Sequence, residues 1–342
     1  MTPGFRYAIE SRWYGKPGWL LLFWPLSTLF RGVAALRRRI QMHDRESLTI
    51  PVVVIGNITV GGTGKTPLII ALVRELQGAG YKPGVVSRGY GARLTAGAVS
   101  LVTEESDSAE VGDEPLLIAR AVQCPLAISR DRLAAARTLV QSGECDLILS
   151  DDGLQHYRLP RDLEIAVVDG SRGFGNGHCL PSGPLREPTA RLKAVDWVVR
   201  NGNQSCLELA PWAPVPMHIK PMGWINVHTG ELRPLEQTDW LKEPAYAVAG
   251  IGNPQRFFNT LSDLGLTFFR KAFPDHHSYR VSDFTGFAGE TVIMTAKDAV
   301  KCRAFARSNW WYLDVAAELP EAFRSAFIER ISRLVAEKSA QQ

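Results

Sequence analysis

No C-x-x-C pair occurs in this sequence, and its five cysteines, Cys124, Cys145, Cys179, Cys206 and Cys302, are widely spaced. That spacing gives no basis for a disulfide framework or a zinc site and fits a reducing cytosol. Charge of one sign is scarce too, since the formal net charge is only +4. Residues 1–50 hold eight basic residues (Arg6, Arg12, Lys16, Arg31, Arg37, Arg38, Arg39, Arg45) against three acids (Glu10, Asp44, Glu46), a surplus of five, which leaves the remainder near −1. The basic character therefore belongs to the N-terminus and gives no indication of nucleic acid as a partner. Internal repeats and low-complexity stretches are absent. So is an apolar run of full spanning length: GWLLLFWPLSTLF, residues 18–30, rises only ~20 Å as a helix against a hydrocarbon core of ~30 Å.

That short run nevertheless has interfacial character. Trp13, Tyr14, Trp19 and Trp24 supply aromatics for a headgroup region, Arg31 and Arg37 to Arg39 supply cations for anionic lipid, and Pro25 marks a kink or break. The expectation is a segment lying in, or dipping into, one leaflet. A helix buried against the body and an uncleaved signal-like stretch are the competing readings. With 342 residues, 45% hydrophobic and 22% charged, the chain is long enough for two folded domains.

The most informative stretch is IPVVVIGNITVGGTGKTP, residues 50–67. Ile50 to Ile55 reads as a buried parallel strand, and Leu68, Leu72 and Leu76 mark one face of a helix beyond it. Between them Thr59, Val60, Gly61, Gly62, Thr63, Gly64, Lys65 and Thr66 form a phosphate-binding loop. Glycines let backbone N–H groups turn toward an anion, and the helix N-terminus adds partial positive charge. Lys65 can reach the β- and γ-phosphates of ATP, and the Thr66 hydroxyl can ligate Mg²⁺. Thr59 stands where the usual pattern has glycine.

Strands are expected at 83–87, 126–129, 146–150, 163–168 and 195–200, with helices opening at Gly112-Asp113-Glu114-Pro115 and Arg130. This alternation predicts an α/β fold with a parallel sheet covered on both faces. Prolines 211, 214, 216, 221 and 234 then crowd a linker that contains a hairpin, GWINVHTGEL. A second α/β pattern follows, with strands at 245–249, 266–269, 292–294 and 310–315 and a last helix from Glu321 to about Lys338. The expected division is an N-terminal membrane-associating segment (1–42), a P-loop domain (43–204), a linker (205–244) and a smaller α/β domain (245–342).

Asp151 and Asp152 follow LILS at a strand end, a placement suited to holding Mg²⁺ directly or through water. Asp113 has two readings. It is placed to cap the helix opening at Glu114-Pro115, and equally to accept a proton from an attacking hydroxyl. Arg88 and Arg186, in SRGYG and SGPLREP, could neutralise a transferring phosphoryl group or grip a substrate phosphate, or simply be solvated. His276 and His277 follow Asp275 as an acid–base candidate or as surface loop residues. Thr295-Ala296-Lys297-Asp298 lacks the spacing of a base-reading N-K-x-D motif and stays unassigned.

GNITVGGTGKTP, SRGYG, GDEP, SDDGLQH, GNGHCLPSGPLREP, AGIGNPQRFF, FPDHHSY and TAKDAVK occur in this order between residues 56 and 301. Together they resemble the tetraacyldisaccharide 4'-kinases, the lipid A 4'-kinases of Gram-negative bacteria, over nearly the whole chain. The resemblance implies a P-loop kinase domain joined by a two-stranded linker to a smaller α/β domain. It implies transfer of the ATP γ-phosphate to the 4'-hydroxyl of a tetraacylated disaccharide 1-phosphate lipid, at the cytoplasmic face of the inner membrane. It places Thr66, Asp151 or Asp152, and Gln155 around Mg²⁺. It makes Asp113 a catalytic aspartate, His276 its partner and Arg186 an arginine near the transferring phosphate. It also accounts for Thr59, because the family shares a non-glycine start. No obligate protein partner is implied. A different class, a membrane-associated P-loop ATPase switch that positions partners, carries an extra lysine before its Gly-Gly pair, where this chain has Val60.

Overall fold

A computed structural model describes residues 3–95, 97–202, 204, 206–241 and 243–341, with the side chains of 3–7 outside the description. Helix α1 (Pro3–Trp13) and a 3-10 turn (Gly18–Phe23) lead into α2 (Trp24–His43). The break expected at Pro25 falls just before it, where the 3-10 turn ends at Phe23 and α2 begins at Trp24. Pro25 lies in the first turn of α2, where a missing N–H costs nothing.

The first half alternates as expected. Its elements are β1 (Val52–Gly56), α3 (Lys65–Gly78), β2 (Pro83–Ser87), β3 (Ser100–Leu101), α4 (Ser108–Val111), α5 (Asp113–Ala121), β4 (Leu126–Ile128), α6 (Arg132–Ser142), β5 (Leu147–Ser150), β6 (Leu163–Asp169) and β7 (Trp197–Asn201). Strands β4, β2, β5, β1, β6 and β7 lie side by side and parallel, with β3 antiparallel at the edge. Val53 and Ile55 of β1 face one core with Leu68, Leu72 and Leu76 of α3, while Val52 and Val54 face another with Leu139 and Leu154. Burial on both faces is why these strands are continuously apolar rather than alternating. Each fully buried leucine on α3 contributes roughly 1.5–3 kcal/mol.

The proline-rich stretch is not merely a connection. Residues Val215–Asn226 form one long strand, β8, whose first residues pair parallel with β7. The rest of β8 pairs antiparallel with β13 (Trp310–Glu318) and with β9 (Leu232–Arg233), closing the hairpin expected around Thr229-Gly230. Pro221 lies where the β8–β13 register shifts, a position at which a missing N–H is tolerated. Beyond β13 the parallel arrangement resumes in the order β12 (Thr291–Thr295), β10 (Ala245–Ala249), β11 (Phe269–Ala272). One continuous sheet thus carries both halves, with β8 and β13 as its bridge.

Helix α7 (Pro254–Asp263) and α8 (Ala296–Cys302) cover the second half, and α9 (Glu321–Ala340) turns back. Phe323, Phe327, Ile331 and Leu334 of α9 share a core with Leu72, and Phe323 meets Trp197 edge-on at 5.2 Å. Strand β11 begins three residues later than the sequence suggests, because Leu266 and Phe268 pack into the core with Phe258 before pairing starts.

α2 packs on the body through Ser27, which is 3% exposed and whose Oγ donates to the Cys179 carbonyl at 3.0 Å. Phe30 packs beside it, but an apolar stripe running from the preceding turn along α2 points the other way. Leu22, Leu26, Leu29, Val33, Leu36 and Ile40 are all at least half exposed and recur at helical spacing. The helical segment is longer than the thirteen apolar residues of 18–30 suggest: by length and composition Gly18–His43, 26 residues, suffices to cross a membrane, because α2 carries the apolar face on past Phe30, and only 11% of its most apolar window is buried. The buried-helix reading therefore fails. Two of the expected interfacial aromatics also turn inward: Trp13 Nε1 donates to the Pro181 carbonyl at 3.1 Å, and Tyr14 donates to the Val60 carbonyl at 3.1 Å. Trp19 and Trp24 stay exposed.

Candidate active site

The loop between β1 and α3 occupies the C-terminal edge of the parallel sheet. Gly64, with φ +93°, starts α3, and a Cβ there would stand 2.2 Å from Asn201 Nδ2. Asn201 Nδ2 donates to the Thr63 carbonyl at 2.9 Å, so the end of β7 braces the loop. The SGPLREP segment lies alongside: Val60 N–H donates to the Pro184 carbonyl at 2.8 Å and Arg186 N–H to the Ile58 carbonyl at 2.7 Å. Thr59 is 5% exposed and bridges to Leu185, so its side chain belongs to this packing rather than to open loop.

Lys65 Nζ stands 3.4 Å from Asp152 Oδ1 and 3.4 Å from Asn57 Oδ1. Arg186 Nη1 reaches Asp152 at 2.9 Å from Oδ2, and Arg132 donates to the Asp152 carbonyl at 2.9 Å. Burial opposes ionisation of Asp152, but Lys65, Arg186 and Arg132 outweigh it and hold the carboxyl below the ordinary range. Asp151 behaves oppositely. It is 1% exposed, takes one hydrogen bond from Ser87 at 3.0 Å, and leaves Oδ1 without a partner. Burial first, then Glu114, pushes its carboxyl up to about 7.

A buried carboxylate oxygen without a donor, next to a loop for phosphates, suits a hard cation such as Mg²⁺. Among the described residues no group of three His, Cys, Asp or Glu could hold a metal ion, and Mg²⁺ in nucleotide sites is bound through one or two protein groups together with phosphates and water. Thr66, half-buried in the first turn of α3, and Asp151 have the donor chemistry. Gln155 is already engaged: its amide donates to the Asn57 carbonyl at 3.0 Å and to Glu187 at 2.9 Å, and its oxygen is 3.4 Å from Arg186.

The second cluster forms where the halves meet. Asp113 is the first residue of α5, 6% exposed, while Gly112 occupies the cap position with no side-chain bond. Its carboxylate faces His276, with Nδ1 3.2 Å from Oδ2. Burial opposes the charge on Asp113, but His276, Lys297 and Lys301 lower its pKa overall. His276 adopts φ +59°, as Asp152 adopts φ +47°. Left-handed backbone at a non-glycine residue costs on the order of 1 kcal/mol or more and gathers at functional sites. The adjacent His277 turns away, bonding Asp283 at 3.0 Å and stacking on Phe273.

Lys297, in the unassigned Thr295-Ala296-Lys297-Asp298 segment, joins this cluster. It ion-pairs with Glu114 at 2.9 Å and lies 3.5 Å from Asp275. These carboxylates, with Asp113, raise its pKa despite burial. The glycine loop at Gly250-Ile251-Gly252 also approaches closely, so that a Cβ on Gly252 would stand 2.7 Å from the Gly62 nitrogen. Arg88 is exposed at the end of β2.

A parallel sheet with a glycine loop at its carboxyl edge, a lysine at a helix start and strand-end acids has the make-up of a nucleoside-triphosphate site of the P-loop kind. The family model for Tetraacyldisaccharide-1-P 4'-kinase matches residues 19–332. A tetraacyldisaccharide 4'-kinase of Methylobacillus flagellatus is 45% identical over 98% of this chain and 99% of its own length. One from Pseudomonas aeruginosa is 46% identical over 97% and 99%. The fold is similar to the crystal structure of "apo" form LpxK from Aquifex aeolicus in complex with ATP, with a TM-score of 0.74 and 25% identity over 92% of this chain and 99% of that one. The chain belongs to the tetraacyldisaccharide 4'-kinase family.

Proposed function

We infer that this chain binds ATP through Thr59 to Thr66 and transfers its γ-phosphate to the 4'-hydroxyl of a tetraacylated disaccharide 1-phosphate. The observation that carries the site assignment is the 3.2 Å pairing of Asp113 with His276, next to the Lys65–Asp152–Arg186 cluster. Glu114 links the two clusters, since its charge acts on Asp151 and it ion-pairs with Lys297.

Phosphoryl transfer asks the protein mainly for positioning and charge neutralisation. Lys65 and Arg186 neutralise oxygens of the transferring group, with Asp152 holding both cations in place beforehand. The acceptor hydroxyl oxygen bonds to the γ-phosphorus as the bond to the β,γ-bridging oxygen breaks, and ADP leaves. The hydroxyl proton passes late to the Asp113 carboxylate, which His276 orients. Thr66 and Asp151, with Asp152 and Gln155 next to them, would hold Mg²⁺, which would supply further neutralisation of the phosphates.

The exposed stripe on α2, with Arg31, Arg37 and Arg39 exposed beside it, supports peripheral or monotopic attachment to the cytoplasmic face of the inner membrane, where an acylated substrate is anchored. The division into residues 1–42, 43–204, 205–244 and 245–342 is part of this reading; the change from parallel pairing with β7 to antiparallel pairing with β13 along β8 supports it, and α9 packs back on the kinase half. Neither nucleic acid nor an obligate protein partner is part of this reading.

Incubation of the protein with ATP, Mg²⁺ and the disaccharide 1-phosphate in detergent micelles tests the reading. The expected result is ADP and bis-phosphorylated lipid in equal amounts. ADP and inorganic phosphate without the lipid product would point instead to the ATPase switch.

A further inference from the structure

We propose that Lys297 is a positioning residue that fixes the proton arrangement of the Asp113–His276 pair, an inference that rests on reading Asp113 as the acceptor of the hydroxyl proton. Lys297 is the second residue of α8 and lies in Thr295-Ala296-Lys297-Asp298, the segment the sequence left without a role. Its side chain is 16% exposed. Nζ lies 3.3 Å from His276 Nε2, 2.9 Å from Glu114 Oε1, 3.5 Å from Asp275 Oδ1 and 3.8 Å from Asp113 Oδ2.

The chemistry of these groups leaves one assignment. An ammonium has three N–H donors and no acceptor, so at Nε2 Lys297 is the donor and the imidazole supplies a lone pair. The ring proton therefore resides on Nδ1. That atom faces the Asp113 carboxylate, which when ionised only accepts. The Nδ1–H lies between the two carboxylate oxygens, 3.3 Å from Oδ1 and 3.2 Å from Oδ2, and the Glu114 N–H also donates to Oδ1 at 3.0 Å, which leaves lone pairs of Oδ2 for the acceptor hydroxyl. The charged groups around the ring are Asp113 on α5, Asp275 on its own loop and Lys297 on α8, and the Tyr90 ring lies 4.5 Å away. Lys301, one turn along α8, adds a second ammonium 3.9 Å from Asp113.

The placement of α8 is itself constrained. Asp298 is fully buried, and its Oδ2 accepts from Thr295 Oγ1 at 2.6 Å and from the Gly250 N–H at 3.0 Å. The helix that presents Lys297 is thereby tied to the glycine loop that touches Gly62, so the position of the ammonium and the closure of the loop onto the nucleotide site are set together.

Lys297→Met and Lys297→Arg in the full chain, each alone and with His276→Ala, test this with ATP and lipid in detergent micelles. Lys297→Met is expected to lower kcat about tenfold to a hundredfold, part of what a positioned proton acceptor supplies, with the KM for ATP within about twofold. Lys297→Arg, which keeps the donors, should recover most of the loss. In the His276→Ala background Lys297→Met should cost less than about twofold more, because the group it positions is gone. Unchanged kcat in Lys297→Met, a loss confined to KM, or losses that multiply fully in the double variant would overturn the proposal. If Lys297→Met does not fold, by its melting transition, Lys297→Gln takes its place in the cycle. Wild-type kcat in His276→Ala alone would instead remove the underlying reading of the pair.

Discussion

His276 Nδ1 lies 3.2 Å from Asp113 Oδ2 although the residues are 163 positions apart in the chain. Each comes from a different half of the sheet, and His277, its neighbour, bonds Asp283 instead. The two histidines therefore separate experimentally. His276→Ala should lower kcat about a hundredfold or more, the scale of a group supporting proton transfer, with little change in melting temperature. His277→Ala should keep kcat and lose stability, because the Phe273 stack and the Asp283 pair go with it. Steady-state kinetics beside thermal melts decide this, and the reverse pattern would exchange the roles.

A pH dependence follows from the lowered pKa of Asp113. Its unfolded carboxyl titrates near 3.8, and the folded value lies below that. The group contributes stability that is fully present above the unfolded value and is lost as the pH falls through the folded value. Asp113→Asn should therefore be less stable than the wild type at neutral pH, with the gap closing as the pH drops below about 4. Denaturant titrations across pH 3–7 check it; a gap independent of pH would mean that the carboxylate gains nothing from His276, Lys297 and Lys301.

Contact between the two glycine loops gives a steric prediction. A methyl group on Gly252 would meet the Gly62 nitrogen at 2.7 Å, closer than the backbone tolerates. Gly252→Ala should separate the loops and raise the KM for ATP or lower kcat at least several-fold, since small misplacements in such sites are costly. Wild-type kinetics in this variant would show that the contact is dispensable.

Leu29 and Leu36 lie on the exposed stripe of α2 at 62% and 60% exposure. Replacing both with glutamate should reduce co-sedimentation with anionic liposomes at least about tenfold while the melt is unchanged, because each buried leucine is worth roughly 1.5–3 kcal/mol of transfer. Unchanged sedimentation would place the membrane contact elsewhere.

Much of this site is legible locally. Ile50 to Thr66 spells out strand, loop and helix start, and Ala245 to Ala249 and Pro83 to Ser87 are strands where the sequence marks them. The misses share a cause. Pro216 and Pro221 argue for a linker, but both lie in a twelve-residue strand, Pro216 where it pairs with β7 and Pro221 at a register shift against β13. Lys297 shows no local signal, since its role depends on Glu114, Asp275 and His276 meeting it across the fold. Trp13 and Tyr14 read as membrane aromatics by type, yet long-range hydrogen bonds turn them into the body.

The central claim is that the loop from Thr59 to Thr66 holds the donor while Asp113 receives the proton of a lipid hydroxyl. Single-turnover transfer from γ-labelled ATP to the disaccharide 1-phosphate, in the wild type and in Asp113→Asn, tests it most directly. Label should pass to the lipid in the wild type, and transfer in Asp113→Asn should slow by about a hundredfold or more while ATP binding is retained. Transfer at the wild-type rate in Asp113→Asn, or label released only as inorganic phosphate by the wild type, would contradict the account.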